Sequence, residues 1–159
     1  MDTYNMIDFN KKKGFICDMD GVIYHGNRVL PGVAEFIQWL HDEDKEYLFL
    51  TNNSGYTPRE LHQKLERMGL DVSEEHFYTS ALATAAFLRD QAPGCSVFAI
   101  GEAGLLNALY DAGITMNDVN PDYVVVGEGR SYSLDTLTKA TNLVFKGAKL
   151  IGANSDVSG

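Results

Sequence analysis

The chain alternates between short runs of apolar, β-favouring residues and longer segments whose apolar residues recur at helical spacing. The short runs predict strands at 15–17, 47–50, 77–79, 96–100, 123–126 and 149–153. The longer segments predict helices at 33–40, 58–68, 80–91, 102–112 and 133–146. Strands that alternate with helices in this way are typical of an α/β protein with a parallel sheet.

Several residues mark where the predicted helices begin and end. Thr57 and Glu60 form the pattern of a capping box, and Pro58 suits the first helical position. Gly69 is predicted to follow the end of this helix, and Ser80 is predicted to cap the next one. The run 47–50 is continuously apolar, which predicts a strand covered by other elements on both faces.

The strongest break in this pattern is Pro93-Gly94, after which strand and helix signals start again. We therefore predict two parts, residues 1–92 and residues 93–159, the second being the smaller α/β unit. Within the second part, 101–104 and 127–129 resemble pieces of glycine-rich nucleotide loops. Neither completes a nucleotide-binding motif, so both are predicted to be turns.

Composition excludes some classes of partner. The 159 residues carry a formal net charge of −9, which argues against binding the phosphate backbone of nucleic acids. No apolar run approaches the roughly 18 residues of a membrane-spanning helix, so no membrane partner is predicted. The two cysteines, Cys17 and Cys95, lack metal-ligand spacing, and a reducing cytoplasmic location is the simplest expectation.

The most specific chemical feature is Asp18-Met19-Asp20-Gly21, directly after the first predicted strand. Residues i and i+2 of an extended chain face the same side, so both carboxylates are expected to point to one place. The carboxyl ends of parallel strands are where ligands bind in open sheets. Two carboxylates there suit Mg²⁺, and they also allow one to act as nucleophile while the other carries a proton.

Three other interpretations of the aspartate pair compete with a catalytic one. It can be a helix cap or Asx turn, or an ordinary solvated loop. A calcium-binding EF-hand loop opening at Asp18 would need Gly at the position of Ile23 and Glu at the position of Val29. The spacing therefore excludes the calcium loop and leaves the first two open.

A second polar segment, 51–55 (Thr-Asn-Asn-Ser-Gly), follows the second predicted strand of the sheet. It offers hydroxyl, amide and backbone N–H groups of the kind that orient a phosphoryl group. Alone, such a glycine-containing polar loop more often just turns the chain. Its position at the end of a strand in the same part as the aspartate pair makes it informative.

These two motifs together resemble the haloacid dehalogenase-like phosphatases. The closer resemblance is to the NagD-like subgroup, whose members include nitrophenylphosphatases and sugar- and nucleotide-phosphatases. The resemblance covers essentially the whole chain and rests on 18–26, 31–36, 50–54, 77–81, 123–127 and 153–156. It implies a partial Rossmann-like parallel-sheet core over 1–92, followed by an incomplete α/β cap domain of the C2 type over 93–159.

The resemblance also implies roles for five residues. Asp18 is expected to be the nucleophile that forms an aspartyl-phosphate, and Asp20 the general acid and then the general base. Both are expected to hold Mg²⁺, Asp18 through its carboxylate and Asp20 through its backbone carbonyl. Thr51, Asn52 and Asn53 are expected to bind the phosphoryl group. The implied substrate is a small phosphorylated metabolite such as a sugar phosphate, a nucleotide or nitrophenyl phosphate.

Two parts of the family's site have no counterpart in the sequence. The family uses a lysine after the cap and an acidic pair at the end of a later strand, whereas Lys139, Lys146 and Lys149 lie in the cap-like segment. We therefore expect that the chain stops within the cap and is inactive by itself. The truncated sheet is expected to leave an open edge that favours association with another copy.

Two other functions compete with the hydrolase. A signalling receiver would need an acceptor aspartate after a later strand, but Thr51, Thr79 and Gly127 stand there. A non-catalytic binding or oligomerisation fragment is the remaining alternative.

Overall fold

The computed structural model describes residues 8–130 and 132–155 and contains two separate parallel sheets. The strands are β1 (Gly14–Asp18), β2 (Tyr24–His25), β3 (Arg28–Val29), β4 (Glu46–Thr51), β5 (Phe77–Thr79), β6 (Ser96–Ile100), β7 (Thr115–Met116), β8 (Tyr123–Val126) and β9 (Lys149–Gly152). The helices are α1 (Val33–Asp42), α2 (Pro58–Arg67), α3 (Ser80–Gln91), α4 (Ala103–Asp111) and α5 (Leu134–Phe145). The predicted α/β class with parallel sheets is confirmed.

The first sheet has the strand order β1-β4-β5, and all neighbours run parallel. Helices α1 and α2 both pack against the face of this sheet that carries Tyr47 and Phe49. Leu40 of α1, Leu65 of α2 and Phe49 of β4 are fully buried in the shared core. This sheet with α1 and α2 is called the first unit below.

The opposite face of the first sheet is partly open, so the prediction that β4 is covered on both faces is wrong. Leu48 and Leu50 of β4 are half-buried, and Ile16 of the neighbouring β1 is 72% exposed. The reason lies in α3, which follows β5 but packs elsewhere. The apolar run of β4 therefore has one buried face, and the described residues cover its other face only partly.

The second sheet has the order β7-β6-β8-β9, again with parallel neighbours. Helices α3 and α4 cover one face, around Leu88, Val97 and Leu105, and α5 covers the other through Ala140 and Leu143. This sheet with α3, α4 and α5 is called the second unit. Because α3 precedes Pro93-Gly94 in the chain yet shares this core, the limits 1–92 and 93–159 stay a prediction.

The helix starts follow local side-chain chemistry. The Thr57–Glu60 capping box is present, with Glu60 N donating to Thr57 Oγ1 at 3.1 Å and Thr57 N donating to Glu60 Oε2 at 2.8 Å. The prediction that Ser80 caps α3 is wrong. Thr79 has the extended backbone of an N-cap residue and its Oγ1 accepts from Leu82 N, so Ser80 is the first residue inside the helix.

Three further observations bear on the sequence predictions. In the part of the chain that the structure describes, β1 pairs only with β4, so its other edge is unpaired. None of the helices in the described segments has the length and apolar character needed to cross a membrane. Cys17 and Cys95 are both free thiols.

We expect a small acid-dependent loss of stability from Asp122, which fastens the start of β6. Its carboxylate accepts from Ser96 N at 2.8 Å and from Ser96 Oγ at 2.9 Å, and these hydrogen bonds hold the pKa of Asp122 below its usual value of 3.8. The unfolded chain therefore binds a proton before the folded chain does. The stabilisation is present above about pH 4 and is lost as the pH falls through the lowered pKa.

The measurement is the melting temperature between about pH 5 and about pH 2. Asp122→Asn is expected to flatten the acid limb of this curve relative to the unmodified chain. Asp111→Asn, which changes another exposed aspartate of the second unit, is the matched control. Equal flattening by both variants would contradict the assignment to Asp122.

Candidate active site

The turn after β1 presents two aspartates to solvent around one buried anchor. Asp18 and Asp20 are exposed, whereas Met19 between them is fully buried. The Met19 carbonyl accepts from Ile23 N at 2.9 Å, which folds the chain tightly back on itself. Gly21 has φ of 78°, so it takes the left-handed conformation that side-chain-bearing residues avoid. The buried Met19 and the left-handed Gly21 therefore fix the backbone that carries the two carboxylates.

The register of the first sheet brings the second motif to the same place. Asp18 lies opposite Leu50, so Thr51 stands one step beyond the end of β1. Thr51 is 5% exposed, and its Oγ1 lies 3.4 Å from Asp20 Oδ2, a long hydrogen bond. Asp18 Oδ1 accepts from Met19 N at 2.9 Å. The structure therefore places Asp20 and Thr51, which are 31 residues apart in the chain, in direct contact.

The loop after β4 is held by its own side chains. Asn53 N donates to Thr51 Oγ1 at 3.1 Å, and Asn53 Oδ1 accepts from Gly55 N at 2.8 Å. The Asn53 side-chain oxygen thus shapes the loop. Asn52 is exposed beside it. The phosphoryl-binding roles of Thr51, Asn52 and Asn53 stay predictions.

Tyr24 is a neighbour of the aspartates that the sequence analysis missed. It is 2% exposed, and burial first, then the charge of Asp20 and a hydrogen bond to it, raise the pKa of Tyr24. In this hydrogen bond the Tyr24 hydroxyl is the donor and the Asp20 carboxylate is the acceptor. Tyr24 lies in the two-residue strand β2, which is too short to show a periodic pattern, so no pattern of apolar residues predicts its position.

Lys64 is the second missed residue and brings a positive charge to this region. Its Nζ lies 3.9 Å from the centroid of the Tyr24 ring and 5.6 Å from that of Tyr56, a cation–π arrangement. Burial lowers the pKa of Lys64, and the charge of Asp20 partly opposes that change. Lys64 follows buried Leu61 by three residues on α2. Residues three apart lie on the same side of a helix, so this spacing predicts that Lys64 lies beside the core.

The donor atoms near the end of β1 suit a hard divalent cation. Mg²⁺ is commonly held by one or two carboxylates together with water and a substrate phosphate. The exposed Asp18 provides such a carboxylate, and Asp20 offers its backbone carbonyl oxygen. Over residues 8–130 and 132–155, no group of three or more His, Cys, Asp or Glu side chains is arranged to hold a metal ion. The pair fits Mg²⁺ as a partial ligand set that a phosphate oxygen and water would complete.

A cleft of about 310 Å³ opens where the loop after β4 meets the second unit. Asn53 and Tyr56 line one side, and Glu102 and Arg130 line the other. Arg130 N donates to Glu102 Oε1 at 3.1 Å, which fixes the second side. The cleft thus combines residues from the carboxyl ends of strands in both sheets.

Comparison with known proteins agrees with this geometry. The sequence profile of the haloacid dehalogenase-like hydrolases matches residues 15–115, which is more than half of the chain. The chain belongs to the haloacid dehalogenase-like hydrolase family. The predicted resemblance to this family and to its NagD-like members is confirmed. Of the segment 153–156 used for that resemblance, residue 156 lies outside the described residues.

Curated relatives include the ribonucleotide monophosphatase NagD of Escherichia coli K12, which is 45% identical over 147 residues, 92% of this chain and 58% of that protein. The dihydroxyacetone phosphatase of Corynebacterium glutamicum strain R is 44% identical over 145 residues, 91% of this chain and 53% of that protein. The chain therefore spans slightly more than half the length of these relatives.

Solved structures show the same fold. NagD from Escherichia coli K-12 superposes with a TM-score of 0.86 at 45% identity, covering 92% of this chain and 58% of that one. The 4-nitrophenylphosphatase of Thermotoga maritima superposes with a TM-score of 0.86 at 33% identity, covering 94% of this chain and 57% of that one.

Proposed function

We propose that this chain supplies the nucleophile side of a Mg²⁺-dependent phosphomonoester hydrolase that works through an aspartyl-phosphate. The contact between Asp20 and Thr51 is the observation that carries the proposal. It joins the carboxyl ends of two adjacent parallel strands, where ligands bind in open sheets. Exposed Asp18, at the end of β1, stands beside this contact.

In the first step, a carboxylate oxygen of Asp18 attacks phosphorus and the ester P–O bond breaks. Asp20 gives its proton to the leaving alkoxide oxygen, so the alcohol departs neutral. Tyr24, which donates toward Asp20, and Thr51 hold the Asp20 carboxyl in place. Donors of the 51–55 loop orient the phosphoryl oxygens.

In the second step, water attacks phosphorus and the bond from phosphorus to Asp18 breaks. Asp20 now accepts a proton from the attacking water, and inorganic phosphate and the free Asp18 carboxylate result. Mg²⁺ held by Asp18 and Asp20, when bound, offsets the repulsion between the Asp18 carboxylate and the phosphate dianion.

The substrate class that we propose is a small phosphorylated metabolite. The names of the relatives specify different leaving groups, namely a nucleoside, a triose and a nitrophenol, which share only the phosphomonoester. A cytoplasmic location fits such substrates and stays a prediction.

A second candidate is a non-catalytic binding or oligomerisation fragment. Among residues 8–130 and 132–155, no strand pairs with the outer edge of β1, and this edge together with the 72% exposure of Ile16 favours such a fragment. An open edge next to an exposed apolar residue invites pairing with another strand. Under this alternative, Asp18 and Asp20 would have no role in turnover.

The test is phosphate release from p-nitrophenyl phosphate, with Mg²⁺ and with a chelator. We expect residues 1–159 to turn over the ester at near-background rate, because the chain lacks the family's lysine and later acidic pair. A polypeptide extended to the length of the relatives is expected to be active only with Mg²⁺. Circular dichroism checks that both are folded.

Two outcomes would contradict these proposals separately. Strong turnover by residues 1–159 that Asp18→Asn removes would contradict the incompleteness of the site. A folded extended polypeptide that hydrolyses no phosphomonoester would contradict the hydrolase and favour the binding fragment.

A further inference from the structure

Three hydrogen bonds from the second unit reach the loop that follows β4. Ser80 Oγ of α3 donates to Asn52 O at 2.7 Å, and Gly104 N of α4 donates to Gly55 O at 2.9 Å. The third runs from the N–H of Glu128, after β8, to Ser54 Oγ at 2.6 Å. Three separate elements of the second unit therefore hold one short loop of the first unit.

Ser54 is the buried centre of this arrangement. Its side chain is fully buried although the loop is otherwise polar and partly exposed. A buried hydroxyl needs a partner, and the Glu128 N–H, 74 residues away in the chain, is the partner that it has. Removing the hydroxyl would leave that N–H without its acceptor in a closed interface.

The second-unit side of the contact is fixed independently of Ser54. Gly127 N donates to Ile100 O at 2.8 Å, and Glu102 N donates to Glu128 O at 3.2 Å. The hydroxyl of Tyr132 donates to Gly127 O. The segment 127–128 is thus tied to β6 and to the start of α4, which makes it a firm anchor.

Two glycines allow the units to approach this closely. A Cβ at Gly104 would lie 2.5 Å from Tyr56 O and 2.6 Å from Ser54 O, and these backbone atoms cannot rotate away. A Cβ at Gly127 would lie 2.8 Å from Ser54 Oγ. The glycine-rich segments that resembled pieces of nucleotide loops therefore serve as contact surfaces for the loop after β4.

We propose that Ser54 is a positioning residue, which makes the shape of the 51–55 loop depend on docking of the second unit. This inference rests on the proposed function, because the shape of the loop matters for activity only if Thr51, Asn52 and Asn53 bind the phosphoryl group. The loop is held at 52, 54 and 55 by the second unit, while Thr51 touches Asp20. Hydrogen bonds from the second unit thereby constrain the loop whose first residue contacts the aspartate pair.

The experiment compares Ser54→Ala with Ser96→Ala in the polypeptide of residues 1–159. Ser96 also makes a serine hydrogen bond, to Asp122, but near the amino end of the second sheet. Amide hydrogen exchange and ¹H–¹⁵N shifts are recorded for 51–56 and for Glu128. Ser54→Ala is expected to speed exchange at these amides by about 5- to 150-fold, the range for a lost buried hydrogen bond.

The signature of positioning is that the Thr51, Asn52 and Asn53 signals shift while the emission of Trp39, the single tryptophan, does not. Trp39 packs against Phe15 in the first unit and reports the core rather than the loop. Unchanged exchange at 51–56 in folded Ser54→Ala, or equal changes in Ser96→Ala, would overturn the proposal.

Ser80→Ala is the second variant, in case Ser54→Ala does not fold. Ser80 is half-buried and lies outside the Ser54 interface, so its loss is tolerable. It is expected to shift the Asn52 and Asn53 signals in the same way, and the absence of any shift would also overturn the proposal. Neither readout needs turnover, so failure of this proposal is distinct from failure of the proposed hydrolase.

Discussion

Asp18→Asn is expected to lower kcat for p-nitrophenyl phosphate more than about 10⁴-fold in an active, extended polypeptide, as loss of a covalent nucleophile does. The amide has the shape of the carboxylate and keeps an oxygen that accepts from Met19 N, so the turn after β1 is preserved. It has no negatively charged oxygen to attack phosphorus. The measurement is steady-state turnover with Mg²⁺, together with capture of the phosphorylated protein after an acid quench.

Asp71→Asn is the control, since Asp71 is an exposed aspartate in the loop after α2. Asp20→Asn is expected to cost about 10²- to 10⁴-fold, the usual range for a general acid or base, while still allowing Asp18 to become phosphorylated. Substantial turnover by the Asp18→Asn variant, or phosphorylation of that variant, would show that another group attacks phosphorus.

Phe49→Ala is expected to lower the free energy of unfolding by about 3–5 kcal/mol. Phe49 is fully buried in the middle strand of the first sheet. Its ring lies 5.3 Å from that of Tyr47 and 6.2 Å from that of Phe77. Truncation removes the packing contacts of the buried ring. It leaves a cavity because the surrounding sheet relaxes only partially. Because small proteins have a total stability of about 5–15 kcal/mol, this loss threatens folding.

Urea unfolding followed by far-ultraviolet circular dichroism, which detects the helices and strands of both units, measures the effect. Phe145→Ala is the matched control, because Phe145 is 85% exposed on α5 and its loss should change stability by no more than about 0.5 kcal/mol. Similar losses in the two variants would mean that the Phe49 site relaxes around the missing ring.

Much of the secondary structure follows from interactions over a few residues. The Thr57–Glu60 capping box was predictable because both partners lie within one helical turn. The strand before Asp18 and the need for glycine at position 21 were readable for the same reason. The two-residue strands β2, β3 and β7 were missed because they are too short to show alternation.

The candidate site was predictable only where a motif ends a strand. Asp18, Asp20 and Thr51 follow apolar runs, and the general rule for parallel sheets brings strand ends together. Tyr24 and Lys64 were missed, and Ser54 was named only as part of the polar segment 51–55. Their importance arises from contacts with residues that lie far away or in another element, such as Lys64 over the Tyr24 ring.

The sequence by itself determined the alternation of strands and helices, most of their limits, and the aspartate pair at the end of β1. These features depend on periodicity, capping and turn preferences, which act over short distances along the chain. Only the tertiary structure decided that α3 joins the second sheet, that one face of the first sheet stays partly open, and that Ser54 meets Glu128. Those outcomes depend on how two sheets dock, because docking brings together atoms that the chain separates by dozens of residues.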